Sequence, residues 1–303
     1  MIIVTVLSFL TLFFLAVTAY VYVGYPLLVA SWARHSRAPV RIGPHTPRVS
    51  LIIAAYNEEG VIADKIRNSL ELDYPRDKIE IIVVADGSSD GTFERACAFR
   101  SAGVMVLHQP KRRGKSAALN RAVAHSTGDI LVFSDANAMY RPDAIRRLVA
   151  PFADPAVGCV SGRKIVTGSS TAGRGEGFYW RYEAWIRRQE ARLGSTVAVN
   201  GEMLAVRRDQ FRPIPPGVIN DDAYIALRTI ADSRRVVFVE DAVCSEPASA
   251  SVADDAVRRT RMVAGRYQLF FASGLLPWRR PLDMFMLLSH KLLRLLLPVL
   301  LIA

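Results

Sequence analysis

The first 33 residues of the chain contain no charged side chain, and this feature limits the possible folds more than any other. About 20 apolar residues suffice for a helix to cross a bilayer. A secretory signal peptide would have a basic first segment and a shorter apolar core, and neither is present. We therefore expect a retained transmembrane helix over residues 1–33. Arg34, Arg37 and Arg41 follow it, and because positive residues favour the cytoplasmic side, the rest of the chain is predicted to be cytoplasmic.

The other end of the chain is also apolar. Residues 282–293 mix apolar side chains with scattered polar ones, which predicts a helix lying in the membrane interface, with a buried core helix as the alternative. Only nine residues follow Arg294, and they span roughly 14 Å, about half of a bilayer core. We therefore expect residues 251–303 to contain interfacial helices and the start of a further transmembrane helix, cut from a longer, multi-pass protein of the cell (inner) membrane.

Residues 34–280 hold 64 of the 67 formal charges, a density typical of a soluble domain. The net charge of +11 raises the question of nucleic acid. No recognition motif accompanies the charge, so we expect no nucleic-acid partner. We divide this region into a linker over residues 34–46 and a domain over residues 47–250.

Short apolar runs rich in β-branched residues alternate with amphipathic segments in this domain. The predicted strands are residues 49–55, 78–85, 104–107 and 129–134, and the predicted helices are residues 58–72, 91–102 and 116–126. This alternation predicts an α/β fold with a mostly parallel sheet covered on both faces. Ligands of such sheets bind beyond the carboxyl ends of the strands, so the polar residues there are candidates: Asn57, Glu58, Asp86 and Asp135.

Two candidate motifs concern a nucleotide. Asp86 begins the turn Asp-Gly-Ser-Ser-Asp-Gly-Thr, where it can accept hydrogen bonds from a base or a ribose; a plain turn with Asp90 or Thr92 capping the next helix is the alternative. Gly114-Lys115-Ser116 resembles the end of a phosphate loop, but Gln109 stands where that motif needs a glycine. Lys115 still lies in a basic run at a predicted helix start, which suits phosphate or a solvated turn.

Asp135 and Asn137 end the fourth predicted strand. Two oxygen-bearing side chains two positions apart can point the same way, which suits Mg²⁺ or Mn²⁺; an Asx turn is the alternative. Asn220, Asp221 and Asp222 lie just before a predicted apolar helix, where acids are commonly caps, although one of the two acids can act as a general base.

The basic run at Arg258–Arg261 suits either anionic lipid or a diphosphate. The aromatic segment 177–193 is predicted to line an acceptor path, to rest on the membrane, or simply to pack. Asn200, Gly201 and Glu202 form either part of an acceptor floor or a plain surface turn.

The order of these motifs is more informative than any one of them. VSLIIAAYNEE, VVADGSSDGT, GKSAALN, FSDAN, NDD and RTRMVAGR follow one another over residues 47–270. In this order the sequence resembles the membrane-bound family-2 glycosyltransferases. The resemblance implies a GT-A-type nucleotide-sugar-binding fold, a divalent cation, and inverting sugar transfer from a nucleotide-diphospho-sugar to a polysaccharide or lipid-linked acceptor.

The resemblance also implies roles for residues at matching positions. Ala55, Tyr56 and Glu58 would line the nucleobase pocket, and Asp86 would contact the base or ribose. The remaining positions concern the reaction: Lys115 at the diphosphate, Asp135 and Asn137 at the metal, Asp222 as general base, and Arg261 at the pyrophosphate.

Three departures accompany the resemblance. Asn137 replaces the second acid of Asp-x-Asp, Asn-Asp-Asp replaces Thr-Glu-Asp, and Arg258 and Met262 replace the Gln and Trp of Gln-x-x-Arg-Trp. The lost Trp weakens an assignment as a cellulose- or hyaluronan-type synthase. We expect a UDP-sugar donor ahead of a GDP-sugar. The alternatives are a single addition to a polyprenyl phosphate and, motivated by Asn137, a non-catalytic nucleotide-binding membrane sensor.

Overall fold

The computed structural model describes residues 2–36, 38–43, 45–167, 171–247, 252–272 and 274–302. Arg37, which contributes to the predicted topology, lies outside these residues. The chain begins with α1 (Ile2–Ala19), a π-helical turn (Tyr20–Gly24) and α2 (Tyr25–His35), which follow one another without a break. By length and composition, Ser8–His35 is long and apolar enough to cross a membrane.

The two halves of this N-terminal helix have different surroundings. Large apolar side chains of α1, among them Phe9 and Leu12, are exposed. In α2, by contrast, Tyr25, Val29 and Ala33 are buried in the core of the following domain. The second half of the helix is therefore docked on the domain.

One eight-stranded sheet forms the centre of the domain, in the order β3-β2-β1-β4-β7-β6-β8-β5. The strands are β1 (Val49–Ala55), β2 (Ile79–Asp86), β3 (Met105–Gln109), β4 (Ile130–Asp135), β5 (Met139–Tyr140), β6 (Val157–Thr167), β7 (Leu204–Arg207) and β8 (Arg235–Pro247). The four strands predicted from the sequence are β1 to β4, and they are parallel to one another. The sheet as a whole is mixed, because β7 pairs antiparallel with β4 and β6, and β5 pairs antiparallel with β8.

The strands β1 to β4 are continuous apolar runs because both faces of the sheet are covered. Their register places Ala55 opposite Ala85, Ala54 opposite Asp135, and Asp86 opposite Gln109. The carboxyl ends of these strands therefore meet at one edge of the sheet, as the sequence predicts.

Helices cover both faces. They are α3 (Ile62–Leu70), α4 (Thr92–Cys97), α5 (Lys115–His125), α6 (Ala144–Val149), α7 (Thr171–Leu193), α8 (Asp221–Ala231), α9 (Val252–Phe271), α10 (Pro281–Leu287) and α11 (Leu293–Ile302). Two of the predicted helices are shorter than expected. The residues before α3 form a turn in which Asn57 has a positive φ of 54°, and α4 is followed by a short 3₁₀ helix at Arg100–Ala102.

The C-terminal segment packs against the domain rather than standing apart from it. Met284, Met286 and Leu287 of α10 are buried, and His290 of the π-helical turn Leu288–Leu292 is fully buried. Such burial fits the buried-helix alternative for residues 282–293 better than a helix lying in the interface. Among the described residues, Ser8–His35 alone meets the length and hydropathy criteria for a membrane span.

Candidate active site

Two loops at the carboxyl edge of the sheet are hydrogen-bonded to each other. The backbone N–H of Asn57 donates to the Ser88 hydroxyl at 3.1 Å, and the Ser89 N–H donates to the Asn57 amide oxygen at 2.9 Å. The Glu58 N–H donates to the Thr92 hydroxyl at 2.8 Å. Asp90 in turn accepts from the Thr92 N–H at 3.1 Å, so its side chain bonds the first backbone N–H of the helix that begins at Thr92. These bonds fix the loop after β1 against the loop after β2.

Asp86 and Gly87 hold a third loop, between β3 and α5. The buried Asp86 carboxylate accepts the N–H groups of Arg113 and Gly114 at 2.9 and 2.7 Å. Gly87 has a φ of +67°, and a Cβ at this position would lie 2.2 Å from the backbone nitrogen of Arg112. Only glycine therefore permits this approach. Asp86 organises the loop directly, whether or not it also contacts a base or ribose.

The residues expected at the nucleobase form a small platform. Ala55 is buried at the end of β1. The Tyr56 side chain is 38% exposed, and the Arg112 guanidinium lies over its ring, 3.7 Å from the centroid. Glu58 is half-buried, and burial together with the nearby Asp135 carboxylate raises its pKa. The platform thus combines an aromatic face, a cation and a carboxyl group.

Lys115 connects two acidic groups. Its Nζ lies 2.6 Å from Asp135 and 3.6 Å from Asp221. Burial alone would raise the pKa of Asp135, but the Lys115 ammonium outweighs it and lowers that pKa. Likewise, the two carboxylates raise the pKa of Lys115 against the opposing effect of burial. The Asp135 carboxylate therefore favours a positively charged group beside it, here the Lys115 ammonium.

Asn137 lies beside a carboxylate that the sequence did not single out. Its Nδ2 donates to Glu246 Oε1 at 2.9 Å. Glu246 also forms an ion pair with the buried Lys164 and lies 3.7 Å from Arg258. The described residues contain no group of three or more His, Cys, Asp or Glu side chains placed to hold a metal ion. Asp135 and Asn137 are nonetheless oxygen donors of the kind that suits Mg²⁺ or Mn²⁺ held together with phosphates.

Asp222 lies in the first turn of α8, and its carboxyl group has a raised pKa. Burial, and next the neighbouring Asp221 carboxylate, raise the pKa of Asp222 to about 6. Its Oδ1 accepts the N–H of Ala223 at 2.7 Å. A Cβ at Gly201 would lie 3.3 Å from the Asp222 Cβ, so the Gly201 backbone passes directly beside the carboxylate.

The three residues predicted at the acceptor, Asn200, Gly201 and Glu202, have different surroundings. Asn200 is buried, and its side chain accepts from Arg187 and donates to the Gly162 carbonyl at 3.0 Å. The Asn200 side chain is therefore occupied by internal hydrogen bonds. Glu202 accepts from Lys164 at 2.7 Å and contributes to the raised pKa of Asp222. Gly201 and Glu202 thus form a turn that borders the Asp222 carboxylate.

The helix α9 is anchored to the start of α8. Asn220 Nδ2 donates to the Met262 carbonyl at 2.9 Å, and a Cβ at Gly265 would lie 2.6 Å from the Asn220 side chain. Arg258 lies one helical turn before Met262 and reaches Glu246. Arg261 is exposed, and within the described residues it has no hydrogen bond or ion pair. Among the described residues, Arg258 and not Arg261 therefore forms an ion pair with Glu246.

The sequence interpretation missed two residues of this site, Lys164 and Glu246. Both lie on long strands, β6 and β8, whose pairing is parallel. An apolar run at residues 236–239 was the available signal for β8, but it says nothing about what lies opposite the end of the strand.

Comparisons with known proteins agree with this geometry. The family model described as Glycosyl transferase family 2 matches residues 50–213. Beta-monoglucosyldiacylglycerol synthase of Synechocystis sp. is 29% identical over 268 residues, which cover 83% of this chain and 55% of the relative. Poly-beta-1,6-N-acetyl-D-glucosamine synthase of Staphylococcus aureus is 30% identical over 157 residues, which cover 50% of this chain and 38% of the relative.

A solved structure covers more of the chain. The mannosyltransferase PcManGT from Pyrobaculum calidifontis, in complex with GDP-Man and Mn²⁺, superimposes with a TM-score of 0.79 and 29% identity, covering 96% of this chain and 84% of that one. By contrast, the chain spans about half or less of the length of the curated relatives it matches. The family model covers more than half of the chain, and the structural match confirms the expected nucleotide-sugar-binding α/β fold. The chain belongs to glycosyl transferase family 2.

Proposed function

We propose that this chain transfers a sugar, with inversion, from a nucleotide-diphospho-sugar to a glycan or lipid-linked acceptor. The observation that carries the proposal is the Lys115 bridge. Lys115 joins Asp135, at the end of a central strand, to Asp221, and Asp221 is the neighbour of Asp222. A site for an anionic donor and a carboxylate able to accept a proton therefore lie side by side.

The nucleotide end of the donor is assigned to the platform of Ala55, Tyr56 and Glu58. The exposed Tyr56 ring and the Arg112 guanidinium suit a stacked base. Asp86 contributes by holding the loop that carries Arg112, and it remains a candidate for the base or ribose. Because the two neighbouring loops are fixed to each other, the platform is formed before the donor arrives.

The diphosphate is assigned to the residues around Asp135, at the carboxyl edge of the sheet. Asp135 and the Asn137 amide oxygen would hold a divalent cation, which neutralises charge on the departing diphosphate when it is bound. Lys115, which pairs with Asp135, would also contact the phosphates of a bound donor. Arg258 adds a second positive group. Arg261 keeps its proposed role at the pyrophosphate, since its side chain is exposed and has no partner within the described residues.

Asp222 is the proposed general base. A carboxylate with a pKa of about 6 is ionised at neutral pH, yet it is basic enough to accept the proton of an attacking hydroxyl. The hydroxyl would approach past Gly201 and Glu202. A single displacement on the face opposite the leaving group inverts the anomeric carbon.

Acceptor and location are proposed from the N-terminal helix and the relatives. Ser8–His35 would anchor the protein in the cell membrane with the site at the cytoplasmic face. One relative is named for a glycolipid and another for a polysaccharide, so both acceptor classes are proposed. A polyprenyl phosphate is the alternative. We expect a UDP-sugar donor, although PcManGT was solved with GDP-Man.

A donor panel tests the proposal. Membranes containing the full chain are incubated with Mn²⁺ and radiolabelled UDP-glucose, UDP-N-acetylglucosamine or GDP-mannose, and lipid and polymer fractions are counted. We expect one donor to label one fraction, and NMR of the product to show an inverted anomeric configuration. Membranes carrying Asp222→Asn are the control. A product with retained configuration would contradict the mechanism, and equal labelling by the control would remove Asp222 as the base.

A further inference from the structure

Asn137 poses a geometric problem for a cation site. A carboxylate presents two equivalent oxygens, whereas an amide presents one oxygen and one NH₂ group, which repels a cation. An asparagine in this position is therefore useful only if its NH₂ group is held away from the cation. The residue that holds it must accept a hydrogen bond.

Glu246 is placed to do this. The antiparallel pairing of β5 with β8 sets Met139 opposite Ser245, so the residue after Ser245 comes next to Asn137. Asn137 Nδ2 donates to Glu246 Oε1 at 2.9 Å. Glu246 is 7% exposed and Asn137 is partly buried, so this bond is partly shielded from water.

The surroundings of Glu246 fix its position in turn. The Lys164 side chain is 1% exposed, and its ammonium lies between Glu246 and Glu202. On the other side, the Arg258 guanidinium lies 3.7 Å from Glu246. Two cations therefore flank the buried carboxyl group, and its Oε1 accepts the hydrogen bond from Asn137.

We propose that Glu246 is a positioning residue of the cation site. It holds Asn137 by Nδ2, so that Oδ1 is the atom presented to the cation alongside Asp135. The asparagine and the glutamate are complementary: an aspartate at 137 would have no proton to donate, and its charge would repel Glu246. This inference rests on the proposed cation site at Asp135.

The test is a measurement of Mn²⁺ affinity that does not depend on turnover. The full chain in detergent is titrated with Mn²⁺ in the presence of excess UDP, and in parallel excess GDP, and free Mn²⁺ is read by electron paramagnetic resonance. Residues that orient a metal ligand typically contribute 10–100-fold to affinity. We expect Glu246→Ala to weaken Mn²⁺ binding by about tenfold.

The decisive comparison repeats Glu246→Ala in an Asn137→Asp background. Because a carboxylate needs no partner to present an oxygen, the same change should there cost less than about threefold. Glu246→Gln, which keeps an acceptor oxygen, should bind Mn²⁺ more tightly than Glu246→Ala. An equal loss in both backgrounds, or no advantage of glutamine over alanine, would overturn the positioning role.

Two control variants test whether Glu246 acts through Asn137 and whether the cation site exists. Glu202→Ala removes the other carboxylate of Lys164 without touching Asn137, and it should leave Mn²⁺ affinity unchanged. A loss equal to that of Glu246→Ala would show that Lys164, not Asn137, transmits the effect, and the positioning role would be refuted. Asp135→Ala addresses the underlying site: normal Mn²⁺ affinity in that variant would refute the proposed cation site itself.

Discussion

Asp135, Asp221 and Asp222 lie near the ammonium group of Lys115. Their different positions relative to this group explain why the pKa values of Asp135 and Asp222 shift in opposite directions. Asp135, the nearest to Lys115, has a lowered pKa. Asp222 is farther from the ammonium and next to the Asp221 carboxylate, and its pKa is raised. Under the proposed function, the same kind of side chain would provide a more acidic group on the donor side and a more basic group on the acceptor side.

Asp222→Asn isolates the proton-transfer role. General-base catalysis contributes about 10²–10⁴-fold, so we expect kcat to fall by at least about 100-fold. An amide of the same shape should leave UDP or GDP affinity within about twofold, since Asp222 is not assigned to the donor. The measurements are single-turnover rates and nucleotide binding by fluorescence. Loss of nucleotide binding with kcat intact would reverse the assignment.

The pH dependence follows from the raised pKa of Asp222. A base works only when it is deprotonated, so kcat/KM should be level above pH 7 and fall about tenfold per pH unit below about 6. The control is the affinity for the donor, measured without acceptor. This affinity should not fall over the same acidic pH range. An acid limb near pH 4, the ordinary range of a carboxyl group, would contradict the environment described for Asp222.

At the scale of elements, the site depends on how loops are fixed to one another. Polar side chains connect the loops that follow β1, β2 and β3. Asp86 is the centre of this arrangement because both of its oxygens accept backbone N–H groups. A loop held in this way can present Arg112 to Tyr56 at a fixed distance.

Gly87→Ala tests that arrangement. The new Cβ would come within 2.2 Å of the Arg112 backbone, so the β3–α5 loop must move. We expect the KM for the donor to rise at least about tenfold, with a smaller change in kcat, because the platform and not the base is displaced. Kinetics with varied donor concentration measure this.

Gly103→Ala is the matched control for Gly87→Ala. Gly103 also has a positive φ, +86°, but nothing lies within 4 Å of an added Cβ. The Gly103→Ala substitution therefore introduces backbone strain without a steric clash. A similar rise in KM for both variants would attribute the effect to general destabilisation.

At the scale of the whole molecule, the N-terminal helix and the C-terminal segment meet on one buried polar cluster. The Tyr25 hydroxyl donates to Glu190 at 2.5 Å, and His290 contacts the same carboxylate at 2.6 Å. Lys291 and Arg294 pair with Glu183 on the same helix, α7. The helix that precedes the domain and the segment that ends the described chain are therefore joined through α7.

Tyr25→Phe measures how much this buried polar cluster contributes to the stability of the protein. It removes one hydrogen bond to a buried carboxylate, which typically costs about 1–3 kcal/mol. We expect a lower midpoint of thermal unfolding in detergent. Tyr22→Phe is the control, since the Tyr22 hydroxyl has no hydrogen bond within the part of the chain that the structure describes. Equal midpoints for the two variants would show that the cluster does not stabilise the docked helix.

The sequence by itself determined the four central strands, the edge at which they end, and the motifs that reveal the family. These features are local: a run such as Val49–Ala55 encodes its own burial, and the residues after it must appear at its carboxyl end. Only the tertiary structure decided that Glu246 lies against Asn137, that Arg258 reaches Glu246, and that Met284, Met286, Leu287 and His290 are buried. Asn137 and Glu246 are 109 residues apart in the chain. Their contact depends on the register of β5 against β8, and that register is set by packing across the whole core and not by any local pattern.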